Sequence, residues 1–137
     1  MNIFYDIPTE NWYHTHENAE LFAGSAEEEI SYKKDHSNQP LIPITMFPGN
    51  RMLAVGILTI SNPKKESGLG GNLNLFRDLS LYLLKHGILA YVFTGNALHS
   101  ESMRAYVFSS ISNKWIECKV PLPDIVYNRI PSRSYEA

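Results

Sequence analysis

The residues best suited to chemistry fall in three places along the chain. The first is the glycine-rich run Ser67-Gly68-Leu69-Gly70-Gly71-Asn72. It lies between an apolar segment and a helical pattern, where backbone N–H groups can hold an anion without side-chain charge. The run lacks the Gly-Lys-Ser or Gly-Lys-Thr ending of a P-loop, and it does not match the Gly-x-Gly-x-x-Gly of a dinucleotide-binding turn. The same composition also suits an exposed surface loop. The second place is Thr94-Gly95-Asn96, where Asn96 can hydrogen-bond a bound group and where a simple turn is the alternative. The third is the stretch from Tyr127 to Arg133. Arg129 and Arg133 can grip a carboxylate or phosphate through paired N–H donors, or they can simply face water. Extended backbone there puts Tyr127 with Arg129 on one side and Asn128 with Ile130 on the other.

The remaining reactive side chains make no constellation. The histidines are His14, His16, His36, His86 and His99. A strand would bring His14 and His16 to one face, but two imidazoles do not make a zinc site, and no His-Glu-x-x-His pattern is present. Cys118 is the single cysteine; with no base beside it, it reads as a quiet thiol, and it excludes an intrachain disulfide framework. No catalytic residue, metal site or cofactor-binding residue is assigned within the chain.

These places are held by elements that the apolar pattern predicts. Residues 53–60 form the best strand, apolar on both faces, as in a parallel strand covered on each side. Residues 61–72 form a long loop. Residues 73–86 follow as a helix, with Leu75, Phe76, Leu79, Tyr82 and Leu83 as its apolar stripe, widened by Leu81 and Leu84, Asn72 or Asn74 as cap and Gly87 as stop. Residues 88–94 form the next strand, parallel to the first by the right-handed crossover rule. Residues 104–109 and 114–120 read as an antiparallel hairpin, with Tyr106 and Trp115 packing across it. Residues 124–130 give a last extended segment. Residues 41–47 contain Pro43 and therefore suit an edge strand or an extended lead-in, followed by a turn at Pro48-Gly49-Asn50.

The first forty residues show no clear period. They read as a flexible or partly ordered arm, or else as edge strands completed by other sequence, with Ser25 and Glu28 as the capping box of a short helix. The expected organisation is an arm at 1–40, an α/β domain at 41–133 and a tail at 134–137. The fold expected is a small Rossmann-like α/β domain of two or three layers with a mixed sheet. One helix cannot cover both faces of such an apolar sheet, so either the arm or another domain must supply the missing cover.

Composition narrows the function classes. The chain has 137 residues, of which 44% are hydrophobic and 19% charged, enough for one folded core without disulfides. The net charge of −2 argues against a broad nucleic-acid surface. No secretion signal is visible at Met1-Asn2-Ile3-Phe4-Tyr5-Asp6, and no apolar run is long enough to span a bilayer, so no membrane role is expected.

The string Pro121-Leu122-Pro123-Asp124-Ile125-Val126-Tyr127-Asn128-Arg129-Ile130-Pro131-Ser132-Arg133 resembles a segment of the YheC/YheD-type ATP-grasp family, which is associated with the endospore coat. In that family a Pro-Asp-x-Val-Tyr-Asn-Arg-Ile segment closes the N-terminal domain before the ATP-grasp module. The matching residues here are Pro123, Asp124, Val126, Tyr127, Asn128, Arg129 and Ile130. Residues 53–60, 76–87 and 88–93 resemble the family's strand–helix–strand unit. The resemblance implies a preATP-grasp domain, inactive alone, that packs beside a C-terminal ATP-grasp module in cis. ATP and Mg²⁺ would belong to that module, in a parent protein ligating a carboxylate to an amine. It also implies that Ser61, Asn62, Gly68, Gly70, Gly71, Asn72, Thr94, Gly95 and Asn96 face the substrate, in a cytoplasmic or spore-coat protein. The low charge and eight tyrosines suggest an alternative, a non-enzymatic module that self-associates or binds coat proteins.

Overall fold

The structure, a computed structural model, describes residues 2–34, 44–45, 51–62, 64, 68–99 and 103–130. Its centre is a mixed sheet of five strands. These are β8 (Ala54–Thr59), β9 (Leu89–Thr94), β10 (Arg104–Ser109), β11 (Lys114–Lys119) and β12 (Ile125–Asn128), in the order β11-β10-β9-β8-β12. As the apolar runs predict, β8 and β9 are parallel neighbours joined through a helix, α1 (Leu73–Lys85). β10 and β11 form the expected antiparallel hairpin, and β12 returns parallel to β8 at the sheet's edge. Across the hairpin Trp115 meets Phe108, with ring centroids 5.2 Å apart, whereas Tyr106 stands opposite Glu117.

Residues 2–34 carry regular strands. They hold β1 (Asn2–Asp6), β2 (Asn11–His14), β3 (Phe22–Ala23), β4 (Glu28–Glu29) and β5 (Ser31–Tyr32). With β6 (Ile44–Thr45) and β7 (Arg51–Met52) they make two further sheets, ordered β5-β2-β1-β6 and β4-β3-β7. The helix expected after Ser25 is replaced by a turn, with Glu27 at φ +50°, leading into β4. Ile44–Thr45 lies on the edge of β1, while the rest of 41–47 and the turn at 48–50 fall outside the described residues.

Alternation along the central strands sorts their side chains onto two faces. Ala54, Leu89, Tyr91, Phe93, Ala105, Val107 and Cys118 share one core with Ile3, Tyr5, Trp12, Leu21 and Ile30. Ile57 and Val92 point the other way and pack with Leu69 and Phe76. The missing cover is therefore supplied by the N-terminal strands on one face and α1 on the other, giving three layers. The architecture is mixed α/β, dominated by strands.

The helix is capped as predicted: the Asn72 side chain accepts from the Leu75 N–H at 3.2 Å, and Gly87 beyond the end adopts φ +76°. Its buried face agrees with the predicted stripe at Phe76, Leu79 and Leu84 and departs from it elsewhere. Phe76, Ser80 and Leu84 face inward at four-residue spacing, while Leu75 and Tyr82 are exposed. The small Ser80 lets the helix approach the sheet closely, which a larger side chain at that position would not.

Candidate functional site at the carboxyl ends of the parallel strands

Three neighbouring strands, β9, β8 and β12, run in one direction and end at one level. Thr59 pairs with Thr94, and Leu58 pairs with Asn128. The loops that leave them share one rim, the usual ligand position in open α/β sheets. Ser61, Asn62, Gly68, Gly70, Gly71 and Asn72 come from the β8 loop, Thr94, Gly95 and Asn96 from the β9 end, and Arg129 from the β12 end. Arg133, the other predicted anion contact, and Ser67 lie outside the described residues.

The β8 loop is a folded-back strap rather than an open cradle. The Asn62 N–H donates to the Gly68 carbonyl at 2.7 Å, and the Gly70 N–H donates to the Ile60 carbonyl at 2.7 Å. The Thr59 hydroxyl donates to the Gly70 carbonyl at 3.0 Å. Leu69 is buried beside Ile57, Phe76 and Val92 and pins the strap to the core. The glycines serve this packing. A Cβ on Gly70 would lie 2.7 Å from the Ile60 side chain, and one on Gly71 would meet Thr59 Oγ1 at 2.8 Å and the Phe76 ring at 2.9 Å. The Asn72 oxygen is occupied by its capping bond, and the Asn62 oxygen accepts from the Lys64 N–H at 3.1 Å.

Side chains available to a ligand sit around this strap. Ser61, Gly95, Asn96 and Arg129 are exposed. The Arg129 N–H donates to the Leu58 carbonyl at 2.8 Å, which fixes its backbone on the β8 end. Its guanidinium lies over the Tyr127 ring at 5.4 Å, a cation–π contact that keeps the side chain extended. Below it, the Asp124 carboxylate accepts from the Ala54 N–H at 2.9 Å and pairs with Arg51. Asp124 thus anchors the start of β12, which presents Arg129 at its end. β12 itself is poorly covered: Ile125, Val126 and Tyr127 are 56%, 46% and 48% exposed. The rim can accept an anion at Arg129 and hydrogen bonds at Asn96 and Ser61, and among the described residues it holds no acid–base pair.

A cavity of about 100 Å³ lies elsewhere, between the N-terminal layer and the crossover that leads to β12. Trp12, Ala23, Ile30, Met52 and Leu89 make its apolar lining, and Glu10, Glu28, Glu29 and Lys119 are its charged residues. Sequence reasoning missed it because its walls come from short, widely separated strands.

The histidine pair is split. His14 is buried in β2, whereas His16 is exposed beyond it and donates its backbone N–H to His14 Nδ1 at 3.2 Å. Burial holds the His14 pKa below the ordinary imidazole value. Cys118 is buried, and desolvation pushes its thiol up to about 12, as suits an inert side chain. Among the described residues no group of three or more His, Cys, Asp or Glu side chains is placed to hold a metal ion, and no helix is long and apolar enough to cross a membrane.

This geometry defines the chain as a mixed α/β protein with a rim at the ends of three parallel strands. No family model, curated protein or solved structure matches the chain.

Proposed function

We propose that this chain is the substrate-side domain of an ATP-grasp ligase-like protein of the YheC/YheD type, associated with the spore coat and inactive by itself. In this reading its Rossmann-like half is the β8–α1–β9 unit with β12. The carboxyl-end rim faces the acceptor substrate, and ATP and Mg²⁺ are held by an ATP-grasp module in cis. The observation that carries the reading is the convergence of the β8 loop, Thr94–Asn96 and Arg129 at one end of three adjacent parallel strands. Arg129 stands there as the cation for an acceptor carboxylate. The exposed apolar residues of β12 suit the flank of a second module.

Two measurements test it. Reading the transcript in frame beyond Ala137 should reveal an ATP-grasp module, and a stop codon in its place would overturn the cis arrangement. Chemical-shift titration of the chain with short carboxylates should move Asn62, Gly95, Asn96 and Arg129, while ATP with Mg²⁺ should move nothing. A response to ATP alone, or none to any carboxylate, would overturn the substrate assignment.

A second reading is favoured by the same bare strand: a non-enzymatic module that associates through β12. Its exposed backbone edge and apolar side chains are the features by which strands recruit other strands. Light scattering over a concentration series should then show self-association that Val126→Lys abolishes; a strictly monomeric chain would exclude self-pairing.

A further inference from the structure

We propose that His14 is an acid-sensitive latch that holds the short edge strand β5 against β2 and fixes one wall of the neighbouring cavity. The latch is built from few parts. β5 is two residues long and pairs with β2 only at Tyr13 and His14. The His14 carbonyl accepts from the Lys33 N–H at 2.8 Å, and its ring lies 5.9 Å from the Tyr32 ring. Its Nδ1 accepts the His16 N–H at 3.2 Å, which ties down the chain leaving β2. That bond requires an unprotonated Nδ1, so the neutral ring carries its hydrogen on Nε2.

Protonation breaks this arrangement in two ways. Nδ1 becomes a donor aimed at another donor, and a full charge appears on a side chain that is 1% exposed. The groups facing the ring do not compensate. His16 opposes a second positive charge, and Glu29 on β4 favours it, but desolvation is the largest influence. Lys33 on the β5 side turns its ammonium to the Tyr13 ring and to Asp6 of β1, 5.0 Å and 3.6 Å away respectively. With the folded pKa held below 6.5, the detached segment binds the proton more tightly. The latch is fully engaged above that value and weakens as pH falls through it toward the folded pKa. Asp6 has a lowered carboxyl pKa, through its bond from Thr9, and loses its contribution only in the more acidic carboxylate range.

Ile30, just before β5, and Ser31, its first residue, are walls of the cavity lined by Trp12 and Met52. Release of β5 therefore loosens that wall and uncovers apolar surface while the central sheet stays folded.

The test uses the intact chain. Imidazole nitrogen NMR should find His14 as the Nε2–H tautomer at neutral pH, with a midpoint below 6.5. Amide exchange, corrected for intrinsic rates, should show Lys33 and His16 losing protection about tenfold for each pH unit of His14 protonation. Tyr91 and Val92 should keep theirs over the same range. His14→Gln should abolish the acid response, and His16→Gln should retain it. A His14 midpoint at or above 6.5, an Nδ1–H tautomer, or loss of protection in step with the central sheet would overturn the latch. If the glutamine variant of His14 fails to fold, the wild-type measurements alone decide.

Discussion

The seam between the N-terminal strands and the central sheet differs sharply from the rim at the carboxyl ends of β9, β8 and β12. At the seam, polar groups are committed over long stretches of chain. Trp12 Nε1 donates to the Lys119 carbonyl at 2.9 Å, the Lys119 N–H donates to the Tyr5 hydroxyl at 2.9 Å, and the Tyr91 hydroxyl donates to the Pro121 carbonyl at 2.7 Å. Arg104 bridges Glu10 of the N-terminal layer and Glu117 of β11, each at 2.8 Å. At the rim, the strap spends its backbone on itself, while Arg129, Asn96 and Ser61 reach outward. Buried polar groups at the seam act as fasteners whose loss leaves orphans. Exposed groups at the rim cost little to change, which is where a ligand contact can be placed without endangering the fold.

The comparison breaks most readily at Trp12. Trp12→Ala should cost about 3–5 kcal/mol in urea unfolding, because it opens a buried void and orphans the Lys119 carbonyl. A cost under about 1 kcal/mol would mean the two layers are separable and the seam is not a joint. Next comes Asp124, which lies between the two regions. Asp124→Ala removes a charged acceptor from the Ala54 N–H and should cost about 1.5–3 kcal/mol. Amide exchange should show the loss first at Arg129, whose N–H bonds to Leu58, before the β8–β9 pair is affected.

The contrast also explains what was legible from residues alone. β8, α1, β9 and the β10–β11 hairpin were readable because each is a sustained period bounded by a stop such as Gly87 or Pro121. Residues 2–34 were not, because their strands are two to five residues long and turn at Glu10, Asn18 and Glu27 with positive φ, where no glycine marks the place. The rim was legible because loops after parallel strands must share an end. The roles of its glycines were not, since Gly70 and Gly71 are required by Ile60, Thr59 and Phe76, contacts that exist only after packing. Tyr91 and Trp12 gave no sign of pairing with carbonyls about thirty and a hundred residues away.

Ser80 offers a smaller and opposite effect. Its hydroxyl is buried on the inner face of α1 and has no hydrogen-bond partner among the described residues. Ser80→Ala removes that orphan and improves helix propensity, so stability should hold or rise by up to about 1 kcal/mol. A loss would show that the hydroxyl is engaged in solution and that α1 sits differently on the sheet.

Arg129 should give the smallest change in stability and the largest change in binding. Its guanidinium is exposed and touches only Tyr127 among the described residues, so Arg129→Ala should move stability by less than about 0.5 kcal/mol. Its backbone bond to Leu58 survives the substitution, so β12 should keep its place. The carboxylate-induced shifts at Asn62 and Asn96 should nevertheless disappear, and Arg129→Lys should restore them only in part, because an ammonium lacks the planar pair of donors. If stability instead fell as far as in the Asp124 variant, Arg129 would belong with the fasteners of the seam. The distinction between a structural joint and a ligand-facing rim would then end at β12.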